Sequence, residues 1–225
     1  MFDPEEYINK LTKLLISRFG KRLAYVGLQG SYLRNEATES SDIDVMAVID
    51  ELRSDDLRVY RETIALLENR EKSCGFICGR SELKNWNPLE ICHLLHTTRD
   101  YYGKLSELVP CYTREDVQSF VKLSLGNLYH ELCHRAIHSE WEKNVAALPR
   151  TYKSAFFILQ DMHWLESGNF MGTKRELLSV LEGKDRLVLE TCISLGGGAG
   201  FDFDGAFELL FSWCKEALER IQTYG

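Results

Sequence analysis

The chain has no excess of positive charge: 34 aspartate and glutamate residues outnumber 27 lysine and arginine residues, which gives a formal net charge of -7. Binding to a phosphate backbone depends on a basic field, so DNA or RNA is not expected as the main partner. The sequence also contains no apolar stretch of the length that spans a bilayer, so no membrane association is expected. Hydrophobic residues at 44% and charged residues at 27% are instead typical of a globular protein.

Features of secreted and zinc-binding proteins are missing as well. The chain starts with MFDPEEYI, without the basic and apolar segments of a secretory leader, and its seven cysteines are odd in number and dispersed. These features predict a cytoplasmic location. Cys74 and Cys78 are spaced like half of a zinc site, but no second close Cys/His pair completes it, so both are predicted to be buried apolar thiols.

Local patterns predict alternating helices and strands in the first eighty residues. Asp3 and Pro4 are typical of a helix start, and the apolar spacing that follows predicts a helix to Phe19. A further helix opens at Ser54, with an apolar face made of Leu57, Tyr60, Ile64 and Leu67. Three strands are predicted, over Leu23–Leu28, Ile43–Ile49 and Gly75–Gly79, with a loop from Gln29 to Ser41.

From Trp86 onward, long segments of helical period replace these strands, for example VQSFVKLSLGNLYHELCHRAI and TYKSAFFILQDMHWLES. The C-terminal half is therefore predicted to be a helical bundle, with Trp141, Trp164 and Trp213 as core aromatics. Gly196-Gly197-Gly198 with Gly200 is predicted to be a loop between late helices.

The stretch from Leu28 to Asp50 carries the chemistry. Gly30-Ser31 ends one predicted strand and Asp42-x-Asp44 starts the next, with ten residues between Ser31 and Asp42. Residues two apart on a strand share a face, and two adjacent carboxylates repel each other unless a cation lies between them. Magnesium binds one or two carboxylates together with substrate phosphates, while Gly30 and Ser31 could contact those phosphates through backbone, hydroxyl and amide.

The segment GSYLRNEATESSDID resembles the signature of the DNA polymerase beta superfamily of nucleotidyltransferases, including the Arg34 and Ser41 typical of bacterial members. Within it, the chain is similar to the bacterial aminoglycoside and lincosamide adenylyltransferases. This implies an α+β fold, with a small mixed-sheet nucleotidyltransferase domain over residues 1–100 and a helical bundle over 101–225. It also implies Mg²⁺-dependent transfer of adenylyl from ATP, or of another nucleotidyl group, to a hydroxyl of a small-molecule acceptor.

The same resemblance assigns roles. Gly30 and Ser31 would contact the triphosphate, and Asp42 and Asp44 would bind the metal. In the helical half, Lys153 and Lys174 are candidate phosphate contacts, with a solvated surface lysine as the alternative for each. Arg175 stands where similar aminoglycoside-modifying enzymes tend to carry an acid, which argues against an aminoglycoside acceptor.

A second departure concerns a carboxylate that the family supplies from a third strand, as a metal ligand or general base. Here Cys74 occupies the matching position; the replacement acids considered are Glu71, Glu82, Glu131 and Asp161, each with an ordinary surface or helix-cap interpretation. The alternatives to an enzyme acting on a small molecule are a nucleotide-binding pseudoenzyme and a protein-modifying, antitoxin-like regulator. His130, His134 and His138 recur every four residues and indicate an exposed helix face rather than a metal site.

Overall fold

The computed structural model describes residues 2–197 and 200–224, and the chain forms two compact units, Met1–Tyr112 and Thr113–Gly225. The sequence placed the boundary after residue 100. The elements of the first unit are α1 (Pro4–Phe19), β1 (Leu23–Gln29), α2 (Gly30–Leu33), β2 (Ile43–Ile49), α3 (Ser54–Ile64), β3 (Ser73–Gly79), α4 (Arg80–Lys84), α5 (Ile91–His96) and β4 (Arg99–Tyr102).

Helix α1 has the predicted bounds because its ends are specified locally. The Asp3 carboxylate accepts hydrogen bonds from the backbone N–H groups of Glu5, at 2.9 Å, and Glu6, at 3.2 Å. Pro4 occupies the first position, where no N–H is needed, and Gly20 ends the helix with a φ of 56°.

The sheet is mixed, as predicted, with the strand order β3-β2-β1-β4. Strand β1 runs antiparallel to both β2 and β4, whereas β2 and β3 are parallel and are connected through α3. Strand β4 was not predicted, and a short helix, α2, lies inside the predicted loop. Strand β1 extends one residue beyond its predicted end, to Gln29, and β3 starts two residues earlier than predicted, at Ser73.

The two faces of the sheet pack against different cores. On one face, odd-numbered β2 residues such as Val45 and Ala47 pack with Ile8 and Leu11 of α1. The other face, named here the Tyr25 face, carries the side chains of Tyr25, Met46, Val48 and Cys78, which cluster with Leu83, Leu105 and Leu108. Because side chains alternate along a strand, Asp44 belongs to the Tyr25 face.

The second unit is the predicted helical bundle. Its helices are α6 (Arg114–His138), α7 (Trp141–Ser167), α8 (Lys174–Val180), α9 (Gly183–Gly196) and α10 (Phe203–Arg220). Its core includes the buried side chains of Leu125, Tyr152, Phe156, Leu159 and Trp213. Helix α9 includes Gly196, the first residue of the predicted glycine loop, and Gly198 lies outside the described residues.

Two details of the sequence interpretation are wrong. Trp141 is 56% exposed and makes an edge contact with Phe203, so it is not a core aromatic. The predicted apolar face of α3 is too long. Leu57 is 47% exposed, and Leu67 lies beyond the end of the helix at Ile64. The predicted helical segment TYKSAFFILQDMHWLES lies within α7, which extends from it through Pro149 to Trp141. Among the helices of the described ranges, none combines the length and apolar character needed to cross a membrane.

Candidate active site

The Gly-Ser motif forms the first turn of α2, directly after β1. Gly30 has a φ of 74°, and the backbone N–H of Glu36 donates to the carbonyl of Ser31 at 2.9 Å. The residue before α2, Gln29, makes no side-chain hydrogen bond to the first turn, in contrast to the Asp3 cap of α1. The first N–H groups of a helix have no partner within the helix, so those of α2 are left without a side-chain cap.

Gly30 lies directly against the Asp44 carboxylate. A Cβ atom built at residue 30 would lie 1.9 Å from Oδ2 of Asp44 and 2.8 Å from its Cγ. Both the positive φ and this close approach exclude a larger residue. The turn and the second aspartate of the Asp-x-Asp pair are therefore in contact.

Asp42 and Asp44 lie at the start of β2 on the same side of the sheet. Asp42 immediately precedes the strand and is exposed, whereas Asp44 is half-buried. Both carboxylates lie close enough to the Cys74 thiol to act on it electrostatically. Across the described chain, neither acid forms a salt bridge with a lysine, arginine or histidine. Two neighbouring acids without a protein cation are suited to binding a metal ion.

Cys74 lies beside Asp44 on the neighbouring strand. The parallel register pairs Asp44 with Cys74, and the charge of the Asp44 carboxylate acts on the thiol. The residue as a whole is exposed, so the prediction that Cys74 is buried is wrong, whereas Cys78 is buried as predicted. Desolvation of the thiol, followed by the charge of Asp44, raises the pKa of Cys74. A neutral group therefore stands next to the two acids.

Two of the replacement acids lie elsewhere in the first unit. Glu82 is close to the far end of β3: a Cβ atom at Gly79 would lie 1.8 Å from its Oε2, and its charge raises the pKa of Cys78. Glu71 precedes β3, and its charge acts on Tyr7, whose side chain belongs to the α1 core on the opposite face. Neither contact places an acid beside Asp44 on the Tyr25 face.

The remaining predicted residues belong to the second unit. Asp161 is buried within α7 and is therefore no surface residue, and Glu131 of α6 forms an ion pair with Arg135 at 2.8 Å. Lys153 is exposed on α7, and the Lys174 ammonium lies 5.4 Å from the ring centre of Phe156. The structure thus brings Gly30, Ser31, Asp42 and Asp44 together in the first unit, with the two lysines on α7 and α8 of the second.

The histidine stripe carries no metal site in the described ranges. His130, His134 and His138 are exposed on α6, with ring centroids 6.0 Å and 4.9 Å apart, and the predicted exposed face is confirmed. Within residues 2–197 and 200–224, no group of three histidine, cysteine, aspartate or glutamate side chains is gathered closely enough to hold a metal ion by itself.

Sequence reasoning missed the contacts that fix the segment between the turn and β2. The Arg34 guanidinium and the Glu36 carboxylate form a largely buried ion pair at 3.2 Å. Lys72 donates to the carbonyls of Glu39, at 2.5 Å, and Ser41, at 3.3 Å, and so joins the segment entering β2 to the one entering β3. Since Lys72 is more than thirty residues away from these partners, no local pattern signals the contact.

Comparisons with known proteins agree with this geometry. The nucleotidyltransferase domain family matches residues 8–85, which include the turn, both acids and Cys74. The structure is similar to that of a spectinomycin adenyltransferase from Enterococcus faecialis solved with ATP and spectinomycin, with a TM-score of 0.60 and 15% sequence identity. The match covers 96% of this chain and 100% of that one, and at this identity it shows a shared fold. The curated proteins contain no significant sequence match.

The family match and the α+β architecture lead to the same classification as the Gly-Ser and Asp-x-Asp motifs. The resemblance inferred from the sequence is confirmed. The chain therefore contains a nucleotidyltransferase domain, which lies in the first unit over residues 8–85, and it shares its overall fold with an adenyltransferase.

Proposed function

We propose that this enzyme transfers the adenylyl group of ATP to a hydroxyl of a small-molecule acceptor, with Mg²⁺ held by Asp42 and Asp44. The observation that carries the proposal is the contact between Gly30 and the Asp44 carboxylate. It puts an uncapped turn, suited to phosphate, directly beside an acid suited to a metal ion.

Each residue of the site has a proposed role. Asp42 and Asp44 supply hard oxygen ligands, and phosphate oxygens of the nucleotide complete the coordination, as is usual for magnesium. The hydroxyl and amide of Ser31 hold the terminal phosphates, and the missing side chain at Gly30 lets them approach the backbone. Bound in this way, magnesium would neutralise charge on the triphosphate and on the departing pyrophosphate. Alignment of the acceptor hydroxyl with the α-phosphorus supplies the rest of the rate enhancement.

The choice of ATP and of a small acceptor is supported by the solved neighbour, which was crystallised with ATP and spectinomycin.

Lys153 and Lys174 are proposed as further phosphate contacts, to be tested by the effect of Lys→Met substitutions on KM for ATP. The proposed location is the cytoplasm, in keeping with the seven free cysteines.

The test is pyrophosphate release from Mg-ATP in the presence of a panel of hydroxylated acceptors that includes spectinomycin. Asp42→Asn and Asp44→Asn should each reduce the rate by at least about 100-fold, because they remove ligands that act on the transition-state charge. Asp55→Asn is the matched control, since Asp55 is an exposed acid of α3. Turnover that survives in both site variants would overturn the proposal.

A nucleotide-binding pseudoenzyme is the second candidate, and Cys74 is the observation that favours it. The thiol occupies the position beside Asp44 where a further carboxylate would strengthen metal binding or act as a base. Tight binding of Mg-ATP by the wild-type protein, lost in Asp44→Asn and accompanied by no turnover with any acceptor, would favour this candidate.

A further inference from the structure

Gln29 occupies the position opposite Asp44 on the other neighbouring strand. The antiparallel register of β1 and β2 pairs the Cα atoms of Gln29 and Asp44. Directly opposed residues of an antiparallel pair project from the same face of the sheet. The half-buried Gln29 side chain therefore stands on the Tyr25 face, in one row with Asp44 and Cys74.

Thr98 fixes the orientation of the Gln29 amide. The Thr98 hydroxyl donates its single proton to the carbonyl of Leu94 at 2.7 Å. Its oxygen can then only accept, and it does so from Nε2 of Gln29 at 2.8 Å. The amide nitrogen is thereby held toward Thr98, and Oε1 is turned away from it.

This arrangement leaves an acceptor without a donor. Within the described ranges no group donates a hydrogen bond to Oε1 of Gln29, a residue that is paired in the sheet with the acid that is proposed to hold the metal. The side chain also makes no cap on α2, although Gln29 is the residue before its first turn. With its nitrogen held by Thr98, the amide presents Oε1 as a hydrogen-bond acceptor for a ligand.

We propose that Oε1 of Gln29 binds a hydroxyl group of the substrate beside Asp44, and that Thr98 is the positioning residue that keeps this oxygen turned toward it. The inference rests on the proposed function. A neutral carbonyl suits this place, because it accepts from a hydroxyl without adding charge next to the phosphates and two carboxylates. The hydroxyl belongs either to the ribose of the nucleotide or to the acceptor.

Equilibrium binding and kinetics with three variants distinguish the two sources. Gln29→Leu removes the acceptor oxygen, and Thr98→Val removes the group that orients it while conserving shape. Gln222→Leu is the matched control, since Gln222 is an exposed residue near the C-terminus. Dissociation constants are measured for Mg-ATP and for its 2′-deoxy and 3′-deoxy analogues.

If the ribose is bound, Gln29→Leu should weaken Mg-ATP binding roughly tenfold but leave the affinity for one deoxy analogue unchanged, as expected for one lost hydrogen bond. If the acceptor is bound, nucleotide affinities should stay constant while KM for the acceptor rises by a similar factor. Thr98→Val should change the same quantity as Gln29→Leu, either the affinity for Mg-ATP relative to the deoxy analogue or the acceptor KM, without a corresponding fall in Tm. A purely structural role of Thr98 would not give this result.

Unchanged nucleotide affinities together with an unchanged acceptor KM in Gln29→Leu would overturn the inference. A wild-type protein that binds no Mg-ATP would instead overturn the proposed function, and this inference with it. A wild-type protein that binds Mg-ATP and is indifferent to Gln29→Leu refutes the inference alone.

Discussion

Cys74 is the residue at which a substitution should raise activity. In Cys74→Asp a carboxylate would join Asp42 and Asp44 at one edge of the sheet, adding a metal ligand or a base. Pyrophosphate release should increase at least about tenfold, a conservative figure for a positioned base. The same variant should have a lower Tm without metal, because three carboxylates repel one another, and should regain stability with Mg-ATP.

Cys111→Asp is the control for this gain, since Cys111 is also exposed and lies outside the site. An unchanged or reduced rate in Cys74→Asp, at normal stability with Mg-ATP, would show that the position does not limit turnover.

Gly30 can be tested against a second glycine with the same backbone conformation. Gly30 and Gly168 have φ values of 74° and 75°, but a Cβ atom at Gly168 meets nothing within 4 Å. Alanine should therefore destabilise either position by about 1–2 kcal/mol through left-handed strain. Only Gly30→Ala should also displace Asp44 and abolish Mg-ATP binding, as measured by calorimetry; binding retained by Gly30→Ala would contradict the contact as the basis of the site.

The core of the site was predictable because its signals are local. The Gly-Ser turn and the two aspartates lie within fifteen residues, and their spacing alone indicates the motif. Gln29 and Thr98 were not predictable, since they are 69 residues apart and meet only when β4 brings the α5–β4 connection beside β1. The exposure of Cys74 was missed for a related reason. The face of the sheet on which each β3 residue lies depends on the pairing of β3 with β2, which the local sequence of β3 does not reveal.

An ion pair joins helix α3 to Arg22, the residue before β1, and gives the free energy of unfolding a defined pH dependence. The Asp56 carboxylate accepts from the Arg22 guanidinium, at 2.5 Å and 3.1 Å, and from the backbone N–H of Arg53 at 2.8 Å. The hydrogen bond from Arg22 is the main cause that lowers the pKa of Asp56. Since an unfolded aspartate titrates near pH 3.9, this stabilisation is present above about pH 4 and is lost as pH falls through the lower native value.

Asp56→Asn should therefore lower the free energy of unfolding at pH 7 by about 1–2 kcal/mol, a typical cost for a lost helix-start interaction. Urea titrations from pH 7 to pH 3 should show the difference from wild type shrinking below about pH 4. Asp55→Asn, one residue earlier and exposed, should show a far smaller difference. A difference that stays constant with pH would rule out the ion pair as its cause.

Elements with strong local signals were predicted closely, and those that depend on distant partners were not. The bounds of α1 and β2 agree with the prediction because caps and continuous apolar runs define them. Strand β4 has only four residues, two of them charged, and owes its conformation to pairing with β1. Helix α7 passes through Pro149 because tertiary packing of its buried face outweighs the local preference.

Each of the two units has buried residues and hydrogen bonds of its own, which predicts that fragments cut at the observed boundary will fold. In the second unit, the Tyr152 hydroxyl donates to the carbonyl of Ala206 at 2.7 Å, and the Trp213 indole donates to Asp185 at 2.7 Å. Fragments 1–112 and 113–225 should each show cooperative thermal unfolding by circular dichroism.

A fragment ending at residue 100 is the control. It cuts β4 in the middle and removes Leu105 and Leu108, which are 2% and 7% exposed, from the core of the Tyr25 face. Fragment 1–100 should therefore fail to unfold cooperatively. Equal behaviour of fragments 1–100 and 1–112 would show that this part of the chain is dispensable for the core.

The parallel register of β2 and β3 decides which β3 side chain lies beside Asp44, and a shift of one residue would change that side chain. Ser73 faces the α1 side, near Tyr7, and Cys74 faces the acids, so inserting one residue between Lys72 and Ser73 would move Ser73 into the position that Cys74 now occupies. A hydroxyl would then stand beside Asp44 in place of the thiol. The gain of a single codon would thus change the chemical group beside Asp44 without replacing any amino acid.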